Sequence, residues 1–199
     1  MKMLVNDFDD NGTIEQITTR TIDGKDMPLH MKGELAKQIP SIKKKNLSYE
    51  DYSKKSVQEI FSKEVISNSI IKIAYVQESM IAINKGNGKF EIKVLPKEVQ
   101  FSCVNAICTL DVNKDGILDI LLGGNQYEFK PQFARLDANY GSVLLGNKNG
   151  TFSWTPYKES GFFMRGEVKH LKTIKSKNNS TVIIAVINDN KPKIFKRND

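Results

Sequence analysis

Two nine-residue stretches carry the residue types best suited to chemistry. Asp7-Phe-Asp-Asp-Asn-Gly-Thr-Ile-Glu15 and Asp111-Val-Asn-Lys-Asp-Gly-Ile-Leu-Asp119 match position for position. Each places side-chain oxygens at positions 1, 3 and 5, a glycine at 6 and a carboxylate at 9. Ca²⁺ is a hard cation that takes roughly six to eight oxygens, and a short loop supplies them in this alternating pattern when a glycine allows the sharp turn. The first loop therefore offers Asp7, Asp9, Asn11, the Thr13 carbonyl and Glu15. The second offers Asp111, Asn113, Asp115, the Ile117 carbonyl and Asp119. One such stretch alone reads equally as an acidic turn, because Asp, Asn and Gly favour turns for backbone reasons. Two copies in register point to two Ca²⁺ sites. Mg²⁺ fits less well, since it prefers a rigid octahedron that keeps several waters. Neither loop is an EF-hand. Position 12 falls on Thr18 or Leu122 instead of a bidentate Glu, and a β-like run follows each loop where a helix would be needed.

The elements that must hold these loops are mostly short strands. Alternating or short apolar runs rich in Val and Ile occur at Ile70–Val76, Met80–Asn84, Phe90–Leu95, Val104–Leu110, Ile117–Leu122, Ser142–Leu145, Val168–Ile174, Val182–Ile187 and Lys193–Lys196. Between Pro28 and Lys63 the pattern changes. Leu29, Met31, Leu35 and Ile39 have helical spacing that ends at Pro40. Ser48 reads as an N-cap, with Tyr52, Val57, Ile60 and Phe61 as the apolar stripe of a second helix. A two-helix insertion in a mainly β chain is expected.

A second repeated element sets the organisation. Asn84-Lys-Gly-Asn-Gly-Lys-Phe90 matches Gly146-Asn-Lys-Asn-Gly-Thr-Phe152, each a glycine turn before a strand that opens on Phe. Gly116 and Gly150 are 34 residues apart, whereas Gly12 and Gly88 are 76 apart, so the first copy is longer by 42, about the size of the helical stretch. Each repeat then reads as four strands, the length and composition of a propeller blade. About three four-stranded β-propeller-type blades are expected: Met1 to about Lys97 with the insertion at 28–63, about Glu98 to Tyr157, and an incomplete one over 161–199. The turn Ser176-Lys-Asn-Asn-Ser180 of the third has no carboxylate, and no metal is expected there.

The run Asp111-Val-Asn-Lys-Asp-Gly-Ile-Leu-Asp-Ile-Leu-Leu-Gly-Gly, with Leu144-Leu-Gly-Asn-Lys-Asn-Gly-Thr-Phe152, resembles an FG-GAP/VCBS repeat. The chain is most similar to the C-terminal part of large bacterial VCBS-repeat proteins related to the ASPIC/UnbV group. The resemblance implies an integrin-type β-propeller with Ca²⁺ in its blade loops at the ten positions named above, and a secreted or surface-associated parent. It is strong at the loops and glycine turns and looser in the helical insertion. Glu15 stands where the family more often has Asp, and three blades do not close a ring.

Composition narrows the function classes. No apolar run approaches the roughly 18 residues of a membrane span. The opening residues run into the acidic loop without a signal-peptide pattern, as in a piece cut from a longer chain. A net charge of +7 comes from 30 Lys+Arg against 23 Asp+Glu, with Lys43-Lys44-Lys45 as the one triple run. No aromatic residues interleave with that run, so it reads as a solvated face and no nucleic acid is expected. Cys103 and Cys108 lie on one strand with opposite orientations and read as two separate thiols. His30 and His170 have no partner at metal spacing, and no G-x-S-x-G occurs, so the chain is expected not to be an enzyme.

What remains is Asn125–Tyr140, a long connection in which Tyr127, Phe129, Phe133 and Tyr140 mix with Lys130, Arg135 and Asp137. Long ordered loops often carry binding function, although packing of these aromatics over the blade edge or the helical insertion is the simpler reading. Trp154 and Tyr157 read as core residues or blade–blade contacts. The expected function is a non-catalytic, calcium-stabilised binding or scaffold module for a protein or glycan, with Tyr127, Phe129, Arg135, Asp137 and Tyr140 as contact residues. The alternative is part of a secreted enzyme whose active site lies elsewhere. Exposed blade edges would also permit a homo-oligomer.

Overall fold

The computed structural model describes residues 1–129, 134–177 and 180–197. Lys130, Phe133 and the turn residues Asn178 and Asn179 lie outside the described residues. Strand makes up 39% and helix 18%, well above ordinary strand content, so the chain is mainly β as expected. Its sheets are antiparallel and none is closed. The chain divides into two compact units, Met1–Gln77 and Glu78–Asp199, with a boundary some twenty residues before the expected one near Lys97.

In the first unit, β1 (Lys2–Asn6), β2 (Glu15–Ile22), β3 (Lys25–Pro28) and β4 (Ile70–Ile73) form one sheet in the order β3-β2-β1-β4. Asp23 and Gly24 both have positive φ, the two-residue hairpin turn that matches strand twist, and they set the register Ile22 opposite Lys25. Along β2, Glu15, Ile17 and Thr19 are buried at period two and their neighbours are not. The helical insertion covers that buried face.

The insertion contains five short helices where two were expected: α1 (Lys32–Gln38), α2 (Ser41–Lys45), α3 (Tyr49–Ser53), α4 (Val57–Ile60) and α5 (Lys63–Ser67). Several local caps restart the chain. The N–H of Asp51 donates to Ser48 Oγ at 2.9 Å and that of Val65 to Ser62 Oγ at 3.3 Å. The Ser56 N–H and hydroxyl both donate to the Glu59 carboxylate at 2.8 Å. Helices this short are not stable alone, so packing carries them. Leu35, Ile39, Ile42, Tyr52, Val57 and Ile60 join Leu4 and Ile17 in one core. Lys43–Lys45 are exposed, and His30 is a structural residue whose Nε2 accepts the Thr18 N–H at 3.3 Å.

In the second unit, β5 (Met80–Asn84) and β6 (Phe90–Val94) pair only with each other; they were expected to complete the first four-stranded repeat. A 3-10 turn over Lys97–Phe101 leads to a meander of β7 (Val104–Leu110), β8 (Asp119–Gly124), β9 (Ser142–Gly146) and β10 (Phe152–Thr155). One turn of helix, α6 (Tyr157–Ser160), precedes β11 (Val168–Lys175), β12 (Thr181–Ile187) and β13 (Lys193–Lys196), which form a three-stranded sheet. Ala106, Cys108, Leu121 and Val143 of the meander meet Val168, Leu171, Ile183 and Ala185 of that sheet in a shared core. The approach is close. A Cβ on Gly123 would sit 2.6 Å from Val168 Cγ1. A second cluster holds Val99, Leu122, Leu144 and Trp154. Cys103 and Cys108 are both free thiols, and burial pushes the Cys108 thiol up. Among the described residues, no helix is long and apolar enough to cross a membrane.

Candidate functional site

The two acidic loops adopt the same turn. In each, the fourth and sixth positions have positive φ: Asp10 and Gly12 at 57° and 84°, Lys114 and Gly116 at 63° and 83°. In each, the first aspartate ties the turn together. Asp7 accepts the N–H groups of Asn11 at 3.1 Å and Gly12 at 2.7 Å. Asp111 accepts those of Asp115 at 3.2 Å and Gly116 at 3.0 Å. Burial pushes the Asp7 carboxyl up, but N–H donors from Gly12, Asn11, Asp9 and Asp10 outweigh it and hold the group below its ordinary value.

The ninth positions begin alike. Glu15 Oε2 accepts the Phe8 N–H at 3.0 Å, and Asp119 Oδ2 accepts the Val112 N–H at 2.8 Å. They then differ. Asp119 is fully buried, and its other oxygen accepts the Gly146 N–H at the end of β9, at 2.8 Å. Gly146 is required for that approach, because a Cβ there would meet the Leu118 carbonyl oxygen at 2.5 Å. Glu15 is only 4% exposed, yet its Oε1 has no hydrogen-bond partner, and neither has the buried Oδ1 of Asp9. Asp7, Asp9 and Glu15 each bring one carboxylate oxygen within 4.8 Å of the others. Among the described residues no other three Asp, Glu, His or Cys side chains converge in this way. Asn11 Oδ1 is engaged by the Thr13 N–H at 2.8 Å. Buried, unpartnered carboxylate oxygens are costly, and an all-oxygen set of three carboxylates suits a hard divalent cation.

A second arrangement forms in the connection between β8 and β9. Asn125, fully buried with φ 79°, closes its base. Its Oδ1 accepts from Ser102 Oγ at 2.9 Å and the Asn139 N–H at 2.8 Å. Its Nδ2 donates to the carbonyls of Asn139 at 2.7 Å and Gly166 at 3.0 Å. Above this base, Gln126 and Leu136 exchange backbone hydrogen bonds. The Tyr127 hydroxyl donates to Asp137 Oδ1 at 2.6 Å, Arg135 Nη2 donates to Asp137 Oδ2 at 3.2 Å, and the Arg135 guanidinium lies 4.5 Å from the Tyr127 ring centroid. Burial and then Asp137 push the Tyr127 hydroxyl up.

Four of the five expected contact residues, Tyr127, Arg135, Asp137 and Tyr140, line one cleft of about 450 Å³. Phe129 is exposed and not part of its lining. Arg165, Gly166 and Asn190 complete it, contributed by the segments before β11 and after β12. Nothing in the local sequence marks those residues, because they join the cleft only through the packing of the two sheets. Beneath lies Glu167, fully buried. Lys169 donates to it at 2.8 Å and Asn188 at 3.1 Å. Chiefly through Lys169, and with burial opposing, its carboxyl is held below its ordinary value. Tyr157, expected in the core or at a blade–blade contact, stands half-exposed beside Phe163 and Tyr140, with ring centroids 5.1 Å and 6.4 Å away.

No family model, curated protein or solved structure matches this chain.

Proposed function

We propose that the chain is a calcium-stabilised, non-catalytic binding or scaffold module, built from β-propeller-type blades of the FG-GAP/VCBS kind and serving a protein or glycan at the cell surface or outside the cell. The observation that carries this reading is the pair of buried, unpartnered oxygens on Asp9 and Glu15, converging with Asp7. A bound Ca²⁺ would satisfy both and so stabilise the folded state. The second loop shares the turn conformation and, in this reading, supplies the second site. The four-stranded sheet of the first unit, the β7–β10 meander and the three-stranded sheet stand as the blades, and the Asn125–Tyr140 connection carries the contact surface. The like-for-like repetition of the acidic loop at the start of the first and second of these sheets supports this organisation.

Titration calorimetry of Ca²⁺ into chelator-treated protein tests the metal half of the reading. Binding at two sites, with the loop-one site lost when Asp7, Asp9 and Glu15 are replaced together, is the expected result. Absence of any binding heat at millimolar Ca²⁺, with no change in melting temperature, overturns it.

A further inference from the structure

The cleft between Tyr127 and Arg165 carries more information than its outline. We propose that it binds an acidic saccharide, a sugar unit bearing a carboxylate; this rests on the binding-module reading above and names its ligand class. The lining holds two guanidinium groups, Arg135 and Arg165, and one carboxylate, Asp137. That carboxylate is already committed to the Tyr127 hydroxyl and to Arg135. The cleft is therefore cationic, with the surplus on Arg165. Among the described residues, no acceptor is hydrogen-bonded to the Arg165 guanidinium, which lies 5.9 Å from the Tyr140 ring centroid. A guanidinium presents a planar fork of donors that matches a carboxylate in two parallel hydrogen bonds.

The other walls suit a sugar. Tyr140 stacks on Phe163 with centroids 5.9 Å apart and planes at 22°, and Tyr157 lies against Phe163. Of these rings Tyr140 alone lines the cleft, and a half-exposed tyrosine of this kind takes the C–H face of a pyranose while keeping hydroxyls in water. Asn190 adds an amide, which both donates to and accepts from hydroxyls. A volume of about 450 Å³ falls in the small-ligand range and has room for a short saccharide.

The cleft is also held in shape before any ligand arrives. Asn125 ties the carbonyls of Asn139 and Gly166, the residues before Tyr140 and after Arg165. Glu167 fixes Lys169 and Asn188 on the same side. A preformed site loses less entropy on binding, which matters for ligands as polar and weakly apolar as sugars. Among the described residues, the lining cations are Arg135 and Arg165 alone, not a continuous basic stripe of the sort that tracks a nucleic-acid backbone.

The test is calorimetric titration of the full chain with an oligogalacturonate, with the corresponding neutral galactose oligomer and with single-stranded DNA. The expected result is binding of the acidic oligomer, at least about tenfold tighter than the neutral one. Arg165→Met should weaken the acidic oligomer by about tenfold or more, the size expected for losing a charge-assisted contact, and should leave the neutral one unchanged. Tyr140→Ala should weaken both. Arg165→Lys, which keeps the charge without the fork, should fall between wild type and Arg165→Met, and it stands in if Arg165→Met melts early. Equal binding of neutral and acidic oligomers overturns the carboxylate assignment and leaves the module reading standing. DNA binding that depends on Arg165 overturns the saccharide class. No saccharide binding, or binding indifferent to both Arg165 and Tyr140, overturns the cleft as a site, and the Ca²⁺ titration then decides separately whether the metal half of the module reading survives.

Discussion

Glu15 and Asp119 occupy the same position in two loops of the same shape, and one oxygen of each accepts the N–H of the loop's second residue. The second oxygen of Asp119 is consumed by Gly146, while that of Glu15 is buried with no partner. One carboxylate is a finished strut between the loop and β9, and the other keeps an unpartnered acceptor oxygen converging with Asp7 and Asp9. The two loops should therefore respond differently to substitution and to calcium.

Loop one should show a metal-dependent stability that Glu15 controls. Calcium at a hundredfold excess over its dissociation constant stabilises by about 2.7 kcal/mol, which raises the melting temperature of a chain this size by roughly 5–10 °C. Glu15→Gln keeps the shape of the side chain and removes its charge, and should abolish most of that rise. Differential scanning fluorimetry in calcium and in chelator measures both. A variant that responds to calcium as strongly as wild type would remove Glu15 from the site.

Asp119→Ala should destabilise whether or not calcium is present. It strands the half-buried N–H of Val112 and the buried N–H of Gly146, each losing a charge-assisted bond, for a total of about 3–5 kcal/mol. Gly146→Ala should cost a comparable amount by steric contact with Leu118. Urea denaturation monitored in chelator reads both effects. A loss below about 1 kcal/mol for Asp119→Ala would contradict the strut.

Acid should weaken the first unit through Asp26. Burial pushes this carboxyl up, but hydrogen bonds from Lys2 at 2.8 Å, Thr21 at 2.7 Å and Gln58 at 3.1 Å prevail and hold it below its ordinary value. A carboxyl lowered by folding contributes stability that is present above its unfolded value, near 4, and is lost as pH falls through the lower folded value. Asp26→Asn should cost roughly 1–3 kcal/mol at neutral pH and flatten the decline below pH 4. Denaturation curves from pH 7 to pH 2 for both proteins make the comparison.

Asn125→Ala should loosen the β8–β9 connection more than Asn125→Gly. Both remove four side-chain hydrogen bonds, but Ala also carries a Cβ into the left-handed conformation at φ 79°. Losses of about 3–5 kcal/mol for Ala, and somewhat less for Gly, are expected. Hydrogen exchange at Gln126 and Leu136 should accelerate in both variants. Unchanged exchange there would show that the base is held by other means.

The loops were legible in the sequence because their chemistry is local. Asp, Asn and Gly at fixed offsets dictate the turn, and the structure shows both copies in one conformation. Ser48 was legible as a cap for the same reason. The insertion reads as two helices because apolar spacing runs from Tyr52 across Ser56 to Phe61, whereas Ser56 and then Ser62 each start a new helix. Strand β3 was hidden by its composition, since Lys25–Pro28 has little apolar alternation and its identity comes from the Asp23-Gly24 turn. The pairing of β4 with β1 spans the whole insertion, and no local pattern encodes it. The cleft was half legible. Tyr127, Arg135, Asp137 and Tyr140 cluster in sequence, whereas Arg165 and Asn190 reach it through the packing of two sheets.

The Asn125 hinge point has a consequence for how such a chain changes over generations. Its bonds fix where the connection leaves and rejoins the meander, at Ser102, Asn139 and Gly166. Substitutions at Tyr127, Arg135 or Tyr140 leave those four bonds in place. In the binding reading proposed above, such substitutions would retune what is recognised while the anchor of the connection stays the same.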